Sequence, residues 1–269
     1  MFLFFKNIKS HAKRTRDFLL ELVFPTECLS CGHEGAWLCQ KCFRALDFKV
    51  DSICPACDQP SHYGRYCQNC QPNFFLDGVL IAGDYKNKLI EKLIKNLKYR
   101  FIHGIAEIIA DYLMFYFRSQ LNRVRINTLS DLSLPFWRQF KTMKDAPLIL
   151  SDWQNVLVIP IPLHKKRLSW RGFNQAEVIA RLFAQKFNLE INAQNLIRVK
   201  HRPPQAKLNS TQRKENIRNC FAWTGEDLTG KNILLLDDIL TTGSTLNEAA
   251  RILKQKNAQE IWGLVVAKG

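Results

Sequence analysis

Apolar residues are spaced in two ways along the chain, and each spacing predicts one kind of secondary structure. Continuous apolar runs, which are typical of strands buried on both faces, occur at residues 79–82, 156–161, 233–236 and 261–266, with a shorter one at 196–199. Helical spacing, with apolar residues three or four positions apart, recurs at residues 12–24, 89–97, 104–117, 176–187 and 246–256. From residue 155 onward the two kinds alternate, which predicts an α/β fold with a parallel sheet flanked by helices.

Two stretches of the chain lack either spacing. Residues 26–72 are rich in cysteine, and residues 118–154 carry no clean period, which predicts an irregular insertion. We therefore expect a basic, amphipathic helix within residues 1–25, a small cysteine-rich domain over 26–72, and an α/β domain over 73–269 that contains the insertion.

Eight of the nine cysteines lie between positions 28 and 70 and form four Cys-x-x-Cys pairs. Two residues between thiolates allow one tight turn to present both sulfurs to a single ion, and two such turns complete a tetrahedral zinc site. Disulfides are the alternative, but regular doublet spacing in a chain without a secretion signal favours zinc. Four thiolates leave no position for water, so both predicted Zn²⁺ sites are structural.

The order of the pairs favours two adjacent four-cysteine sites. Only 7 residues separate the first pair from the second, and only 9 separate the third from the fourth, which two small zinc ribbons can span. A crossed grouping is the alternative that the spacing leaves open. The predicted ligands are Cys28, Cys31, Cys39 and Cys42 in the first site and Cys54, Cys57, Cys67 and Cys70 in the second.

The stretch 233–245 predicts a site for a sugar phosphate. Its apolar strand is followed by Asp237 and Asp238, and ligands of open α/β sheets bind at this end of a strand. A hydroxyl-rich turn and a helix come next, and the N–H groups at a helix N terminus bind phosphate. The two carboxylates would repel a bare phosphate but can accept hydrogen bonds from ribose hydroxyls. The predicted phosphate-binding residues are Thr241, Thr242, Gly243, Ser244 and Thr245.

A basic segment follows the predicted strand at 156–161. Lys165 and Lys166 lie where a pyrophosphate would need its charge neutralised, and Arg167 and Arg171 are suited to bidentate phosphate contacts. The polar, basic stretch 207–216 is predicted to be a mobile flap over the substrate. For each basic residue taken alone, a solvated surface position is the simpler interpretation.

The order of strand, carboxylates, hydroxyl-rich turn and helix closely resembles the phosphoribosyl pyrophosphate motif of type I phosphoribosyltransferases. This resemblance implies that Asp237 and Asp238 hold the ribose 2′- and 3′-hydroxyls and that residues 241–245 hold the 5′-phosphate. It also implies Mg²⁺ on the pyrophosphate and a type I phosphoribosyltransferase-like parallel sheet as the fold of residues 73–269.

The motifs together resemble the ComF family of competence-associated, phosphoribosyltransferase-like bacterial proteins. The residues that carry the resemblance are the four cysteine pairs, Arg-Gly-Phe-Asn-Gln at 171–175, the basic stretch 207–216 and the stretch 234–245, whereas the insertion at 118–154 lies outside it. Membership implies a cytoplasmic protein of natural transformation, or of the use of external DNA, that handles single-stranded DNA. It also implies a place at the cytoplasmic face of a DNA-uptake complex.

The charge of the chain favours an anionic partner. The net charge is +15, and residues 164–218 alone hold 13 Lys/Arg against 3 Asp/Glu. Such a concentration favours a phosphorylated ligand, a nucleic acid or both. Trp170, Phe173 and Trp223 would suit stacking with the bases of single-stranded DNA, although core packing is the favoured role for Phe173. The basic helix predicted at 85–100 offers a second basic surface, with Lys92, Lys95 and Lys98.

Three functions remain open from the sequence. The first is an enzyme that transfers a phosphoribosyl group to an unassigned acceptor, with Asp237, Asp238, Arg167 and Arg171 as its catalytic residues. The second is a DNA-binding module that keeps phosphoribosyl pyrophosphate as a regulatory ligand. The third and weakest is a zinc-anchored scaffold without a ligand.

A cytoplasmic location is expected from two further features. No stretch approaches the roughly 18 apolar residues that span a bilayer. The N-terminal segment 1–14 has its apolar run before its charges and lacks a small-residue cleavage site, which makes it a poor signal peptide.

Overall fold

The protein is described here from a computed structural model. The structure describes residues 26–48, 53–61, 63–100, 102–121, 155–200 and 217–269. The helix predicted within 12–24, the flap predicted at 207–216 and residues 122–154 of the predicted insertion lie outside these ranges. The chain divides into two compact units, Met1–Ala45 and Leu46–Gly269.

The described part of the first unit is a small cysteine-bearing hairpin followed by one short helix. Glu27 and Glu34 form an isolated antiparallel bridge, and the Cys28 amide donates a hydrogen bond to the His33 carbonyl at 2.9 Å. Helix α1 covers Gln40–Arg44 and carries no buried residue. Since so little apolar surface is buried here, this unit depends on its cysteines for a fixed structure.

The second unit is built on a five-stranded parallel sheet. Its strands are β1 (Gly78–Asp84), β2 (Val156–Pro160), β3 (Glu190–Ile191), β6 (Asn232–Leu240) and β7 (Ile261–Lys268). They lie in the order β1-β7-β6-β2-β3, and each neighbouring pair is parallel. A separate antiparallel pair is formed by β4 (Leu196–Arg198) and β5 (Phe221–Trp223). Because the five strands are parallel, their carboxyl ends meet at one edge of the sheet.

Helices cover both faces of this sheet. The helices of the unit are α2 (Lys88–Arg100), α3 (His103–Leu121), α4 (Lys165–Arg171), α5 (Gln175–Phe187) and α6 (Ser244–Lys254). On one face α3 packs against α5, where the Phe117 ring lies 5.4 Å from the rings of both Phe183 and Phe187. On the other face α6 and the β4–β5 pair share a buried cluster with alternate residues of the strands. The predicted parallel sheet flanked by helices is therefore confirmed.

The elements differ from the prediction mainly where the sequence is short or polar. The strand predicted at 233–236 extends to Leu240, and the basic segment at 165–171 forms helix α4, although it carries no apolar period. The strands β3 and β5 were not predicted because two or three residues are too short to show a pattern. Residues 118–121, expected to open the irregular insertion, continue α3.

The second unit also contains the second group of cysteines. Cys54 is fully buried and belongs to the same apolar cluster as Leu235 of β6 and Leu246 of α6. Tyr66 is buried in this cluster as well, and Cys67 and Cys70 pack against it. The second cysteine site is thus part of the core of the α/β unit.

Candidate functional site

Two adjacent carboxylates lie where the sheet opens at its carboxyl edge. β6 pairs with β2 only as far as Leu236, whose carbonyl accepts a hydrogen bond from the Ile161 amide at 2.9 Å. On its other side β6 stays paired with β7 as far as Leu240. Asp237 and Asp238 therefore lie beyond the end of the β2 pairing, and both are half-buried.

The two carboxylates are held close together by their backbone. The Asp238 amide donates a hydrogen bond to Oδ1 of Asp237 at 2.8 Å. Burial and, next, the neighbouring charge of Asp238 together raise the pKa of Asp237 to about 7, although the hydrogen bond from the Asp238 amide, Lys98 and Arg198 oppose this shift. Near neutral pH Asp237 therefore exchanges a proton readily.

Lys98 of α2 is the direct cationic partner of the pair. Its Nζ lies 2.8 Å from Oδ2 of Asp238, and only 20% of the lysine side chain and 14% of the aspartate side chain are exposed. A half-buried ion pair of this kind is a charge-assisted hydrogen bond. It connects the last turn of α2 to the carboxyl end of β6.

The turn after β6 has the conformation that a phosphate-binding turn needs. Gly243 adopts a left-handed φ of 72°, which favours glycine, and it is the residue before helix α6. The Thr242 and Ser244 hydroxyls lie 2.9 Å apart, and the Ser244 amide donates to Thr242 Oγ1 at 3.4 Å. The first turn of α6 leaves backbone N–H groups without intrahelical partners, as in helix N termini that bind anions. Of the five residues predicted to bind phosphate, Thr241, Thr242 and Gly243 form the turn, and Ser244 and Thr245 are the first residues of α6.

Helix α4 contributes a basic side to the site. His164 caps its N terminus, where Nδ1 accepts a hydrogen bond from the Lys166 amide at 3.2 Å. Burial lowers the pKa of Arg171, and its charge also interacts with those of Arg167 and Asp238. Arg171 donates to Oε1 of Gln175 at 2.6 Å, while Lys165 and Lys166 are exposed. The charge of Arg171 therefore acts on Asp238, and Arg167 lies close enough to Arg171 for their charges to interact, whereas the two lysines are in solvent.

Arg198 is a further cation of the site, and no sequence pattern identified it. Burial lowers the pKa of Arg198, whose guanidinium interacts electrostatically with Arg167 and Asp237 and lies 5.6 Å from the Phe221 ring. The Nε atoms of Arg171 and Arg198 are buried without a hydrogen-bond partner among the residues that the structure describes. Two buried guanidinium donors without partners are suited to an anionic ligand.

The alternation of side chains along β4 places Arg198 on the inner side of the strand. Leu196 is buried, whereas Ile197 and Val199 on either side of Arg198 are 37% and 48% exposed, so Arg198 shares the inward side with Leu196. A charge directed inward is expected at a binding site, because its desolvation must be offset by a partner. No sequence pattern distinguished Lys98, because it continues the regular basic face of α2.

The aromatic residues considered for base stacking are not equivalent. Trp170 is 74% exposed, whereas Trp223 is buried and its indole N–H donates to the Glu226 carbonyl at 2.7 Å. Trp223 is therefore a core residue, and the interpretation of it as a stacking surface is wrong. Phe173 is half-buried. Tyr99, which was not identified from the sequence, is 66% exposed, and the Arg171 guanidinium lies 5.8 Å from its ring.

The eight paired cysteines form two separate four-sulfur groups. Within each group all Sγ atoms lie within 4.8 Å of one another, and the grouping is Cys28, Cys31, Cys39 and Cys42, then Cys54, Cys57, Cys67 and Cys70. The Sγ atoms of Cys31 and Cys39 are 3.7 Å apart, as are those of Cys57 and Cys67. Sulfurs at about 2.3 Å from zinc in a tetrahedron are about 3.8 Å apart, so the geometry fits structural zinc. The sequential grouping is confirmed, and the crossed grouping is excluded.

The ninth cysteine, Cys220, is fully buried in the apolar cluster of the second unit, as expected for an apolar role. All nine cysteines are described, and none forms a disulfide. Among the described helices, none has the length and apolar content that a membrane crossing requires.

Comparison with known proteins agrees with both parts of the architecture. The family model of the double zinc ribbon domain matches residues 19–71, and that of the phosphoribosyl transferase domain matches residues 171–268. The chain is 28% identical over 239 residues to competence protein F of Haemophilus influenzae, which covers 86% of this chain and 90% of that protein. It is 29% identical over 226 residues to competence protein ComFC of Bacillus subtilis, covering 81% and 78%. DNA utilization protein YhgH of Salmonella typhimurium is 27% identical over 243 residues, covering 88% and 92%.

The cysteine geometry predicts two zinc ions per chain. Replacing one exposed ligand in either site, Cys31→Ala or Cys57→Ala, should lower the content from two to one, because three thiolates hold zinc less tightly than four. Elemental analysis of the purified protein measures this. A wild-type content of one ion or none would contradict the two-site arrangement.

The raised pKa of Asp237 predicts a pH-dependent gain in stability when its charge is removed. The pKa is about 7 in the folded protein against 3.8 for the free side chain, so the folded state binds the proton more tightly. The stabilisation from this proton is complete at low pH and is lost as the pH rises through about 7. Asp237→Asn should therefore melt at a higher temperature than the wild type at about pH 8, with a smaller difference at about pH 5.

Thermal denaturation at the two pH values measures this effect. Asp111→Asn is the control, because it removes a carboxylate that pairs with Lys186 at 2.7 Å in a different part of the unit. If Asp237→Asn melts at or below the temperature of the wild type at the higher pH, the charge of Asp237 does not destabilise the folded protein, and the prediction is wrong.

Proposed function

The chain belongs to the ComF family, and from this membership we propose that its α/β unit binds phosphoribosyl pyrophosphate and that the protein handles single-stranded DNA in competence or DNA utilisation. The observation that carries the proposal is the position of Asp237 and Asp238 beside the turn 241–243. Carboxylates accept hydrogen bonds from sugar hydroxyls, and the turn and the N terminus of α6 donate to phosphate. Few ligands other than a sugar phosphate satisfy both groups at once.

The cations around the carboxylates support a pyrophosphate group on the sugar. Arg167, Arg171 and Arg198 interact electrostatically with the carboxylates or with one another, and the buried Nε donors of Arg171 and Arg198 have no partner within the described part of the chain. A pyrophosphate with several negative charges would compensate them. The Asp237 and Asp238 oxygens are the hard donors that Mg²⁺ prefers, so a magnesium ion on the pyrophosphate is compatible with the site.

The surface next to this site supports the single-stranded DNA partner. Lys165, Lys166 and Trp170 are exposed on α4, and Tyr99 and Arg100 are exposed at the end of α2. Single strands bind where cations follow the backbone and exposed aromatic rings stack with bases. The competence and DNA utilization proteins to which the chain is similar agree with this role. We further propose that the protein works in the cytoplasm, at the inner face of a DNA-uptake complex.

Phosphoribosyl transfer to an acceptor is the second candidate function. It is favoured by the same three arginines, because a site that neutralises pyrophosphate also stabilises its departure from the sugar. Release of pyrophosphate in the presence of nucleobases or single-stranded DNA separates an enzyme from a protein that only binds the ligand.

The proposed ligand site predicts magnesium-dependent binding of phosphoribosyl pyrophosphate that depends on both carboxylates. Replacing Asp237 and Asp238 by Asn should weaken binding by roughly 10- to 100-fold for each charged acceptor removed. The affinity of the wild type should rise as the pH increases through about 7, because Asp237 then becomes a full acceptor. Calorimetry over a pH series measures both effects, with Asp111→Asn as the matched control. Unchanged affinity in the double variant would rule this site out.

The proposed DNA surface predicts salt-dependent binding of single-stranded oligonucleotides. Lys165→Ala with Lys166→Ala should reduce the log–log salt slope by about 1.4, because each phosphate contact on a single strand contributes about 0.7. Trp170→Ala should weaken binding by about 1–3 kcal/mol through lost stacking, and Trp170→Phe should retain most of it. Lys256→Ala is the control, since Lys256 is exposed beyond the C terminus of α6, at the opposite end of that helix from the site. Fluorescence anisotropy measures these changes, and affinity that does not respond to salt would contradict the proposal.

A further inference from the structure

Two aromatic rings from the second cysteine segment lie against the phosphate-binding turn. Tyr66 and Phe74 are stacked, with ring centroids 4.1 Å apart and an interplanar angle of 14°. A Cβ placed on Gly243 would lie 3.7 Å from the Tyr66 hydroxyl and 4.0 Å from the Phe74 ring. The two rings therefore pack against the turn 241–243 at Gly243.

The cysteines set the position of these two rings. Tyr66 directly precedes Cys67, and Phe74 follows the short 3-10 turn Gln71–Asn73 that begins after Cys70. The Cys70 and Gln71 amides both donate to the Cys67 carbonyl at 2.9 Å, which fixes the backbone between the rings. A metal ion that holds Cys67 and Cys70 therefore also fixes the chain on both sides of the stacked pair.

The same segment is attached to the first turn of α6. The Phe75 amide donates to Oδ1 of Asn247 at 2.7 Å, and the Asn247 amide donates to the Gly243 carbonyl at 2.9 Å. A chain of two hydrogen bonds thus leads from the cysteine segment to the glycine of the turn. Movement of residues 70–75 would pull on the N terminus of the helix that is proposed to hold phosphate.

The other half of the cysteine site is tied to the end of the sheet. Nζ of Lys268, the last residue of β7, donates to the Pro55 carbonyl at 3.1 Å and to Oδ1 of Asp58 at 2.5 Å. Lys268 is paired in register with Leu240, the last residue of β6 before the turn. Both Cys-x-x-Cys pairs of the second site are therefore in contact with elements that flank residues 241–243.

We propose that the second zinc site, Cys54, Cys57, Cys67 and Cys70, positions the phosphate-binding turn through Tyr66 and Phe74, so that ligand affinity depends on the metal in this site. Tyr66 and Phe74 are positioning residues: they set the orientation of the turn and need not touch the ligand. Contacts behind a binding turn change its affinity for the ligand, because a hydrogen-bond donor that is displaced by a fraction of an ångström bonds the ligand less well. The inference rests on the proposed function of residues 241–245, and its test separates the two.

The first test measures the turn itself and needs no ligand. In Cys57→Ala the backbone amides of residues 241–247 should exchange with deuterium faster than in the wild type, because Tyr66 and Phe74 are then held less firmly against the turn. Cys31→Ala is the matched control: it removes the equivalent exposed ligand from the first site and also lowers the zinc content by one ion. Faster exchange in Cys57→Ala alone supports the proposal, and equal protection of these amides in Cys57→Ala and the wild type overturns it.

The second test measures affinity for phosphoribosyl pyrophosphate by calorimetry. Tyr66→Ala should bind the ligand roughly 10-fold more weakly while keeping two zinc ions, and Tyr66→Phe should recover the affinity because it keeps the stacked ring. Unchanged affinity in Tyr66→Ala overturns the proposal. If the wild type binds no phosphoribosyl pyrophosphate, the proposed function fails, and the exchange of residues 241–247 still decides whether the zinc site supports the turn.

Discussion

The candidate site depends on a single electrostatic constraint, the confinement of two adjacent carboxylates at the end of a buried strand. Asp237 and Asp238 repel each other, and burial adds to the cost, as the raised pKa of Asp237 shows. Such a pair persists only where cations surround it, and Lys98 of α2 and Arg198 of β4 come from elements far apart in the chain. This unfavourable electrostatic energy would favour ligand binding, because a ligand with both hydroxyls and phosphate would donate hydrogen bonds to the carboxylates and compensate the charge of the cations.

The parallel sheet is what makes this arrangement possible. Parallel strands end at a common edge, and β2 stops pairing with β6 at Leu236, just before the carboxylates. The second cysteine site lies on one face of the same sheet, with Cys54 buried among residues of β6 and α6. A zinc-binding segment that is too small to form its own core thus shares that of the α/β unit, which explains why its aromatic rings reach the turn at Gly243.

Local sequence patterns were sufficient wherever the neighbours of a residue decide its structure. The apolar run 233–236 predicts a strand because burial on both faces leaves no polar position, and the short loops between cysteine pairs predict their sequential grouping. Patterns failed for α4, whose seven residues have no apolar period, and for Trp223, whose burial comes from pairing with a distant strand. The chemical roles of Asp237, Arg167 and the turn 241–245 remain predictions, since contacts alone do not identify a ligand. Arg198 was missed, and Lys98 was assigned only to a basic surface for DNA, because the partnership of both with the carboxylates depends on tertiary structure.

Helix α4 presents basic residues on two faces, which would suit the two proposed anionic partners. Arg167 and Arg171 are four residues apart and therefore share a face, and the charge of Arg171 interacts with that of Asp238. Lys166 and Trp170 are also four residues apart, and both are exposed on another face. A sugar phosphate on the inner face would remove positive charge from the site without covering the outer lysine and tryptophan. The bound sugar phosphate would then weaken DNA binding only electrostatically, and this weakening would decrease as added salt screens the charges on the two faces from each other. Two ligands that compete for one face would instead exclude each other at every salt concentration.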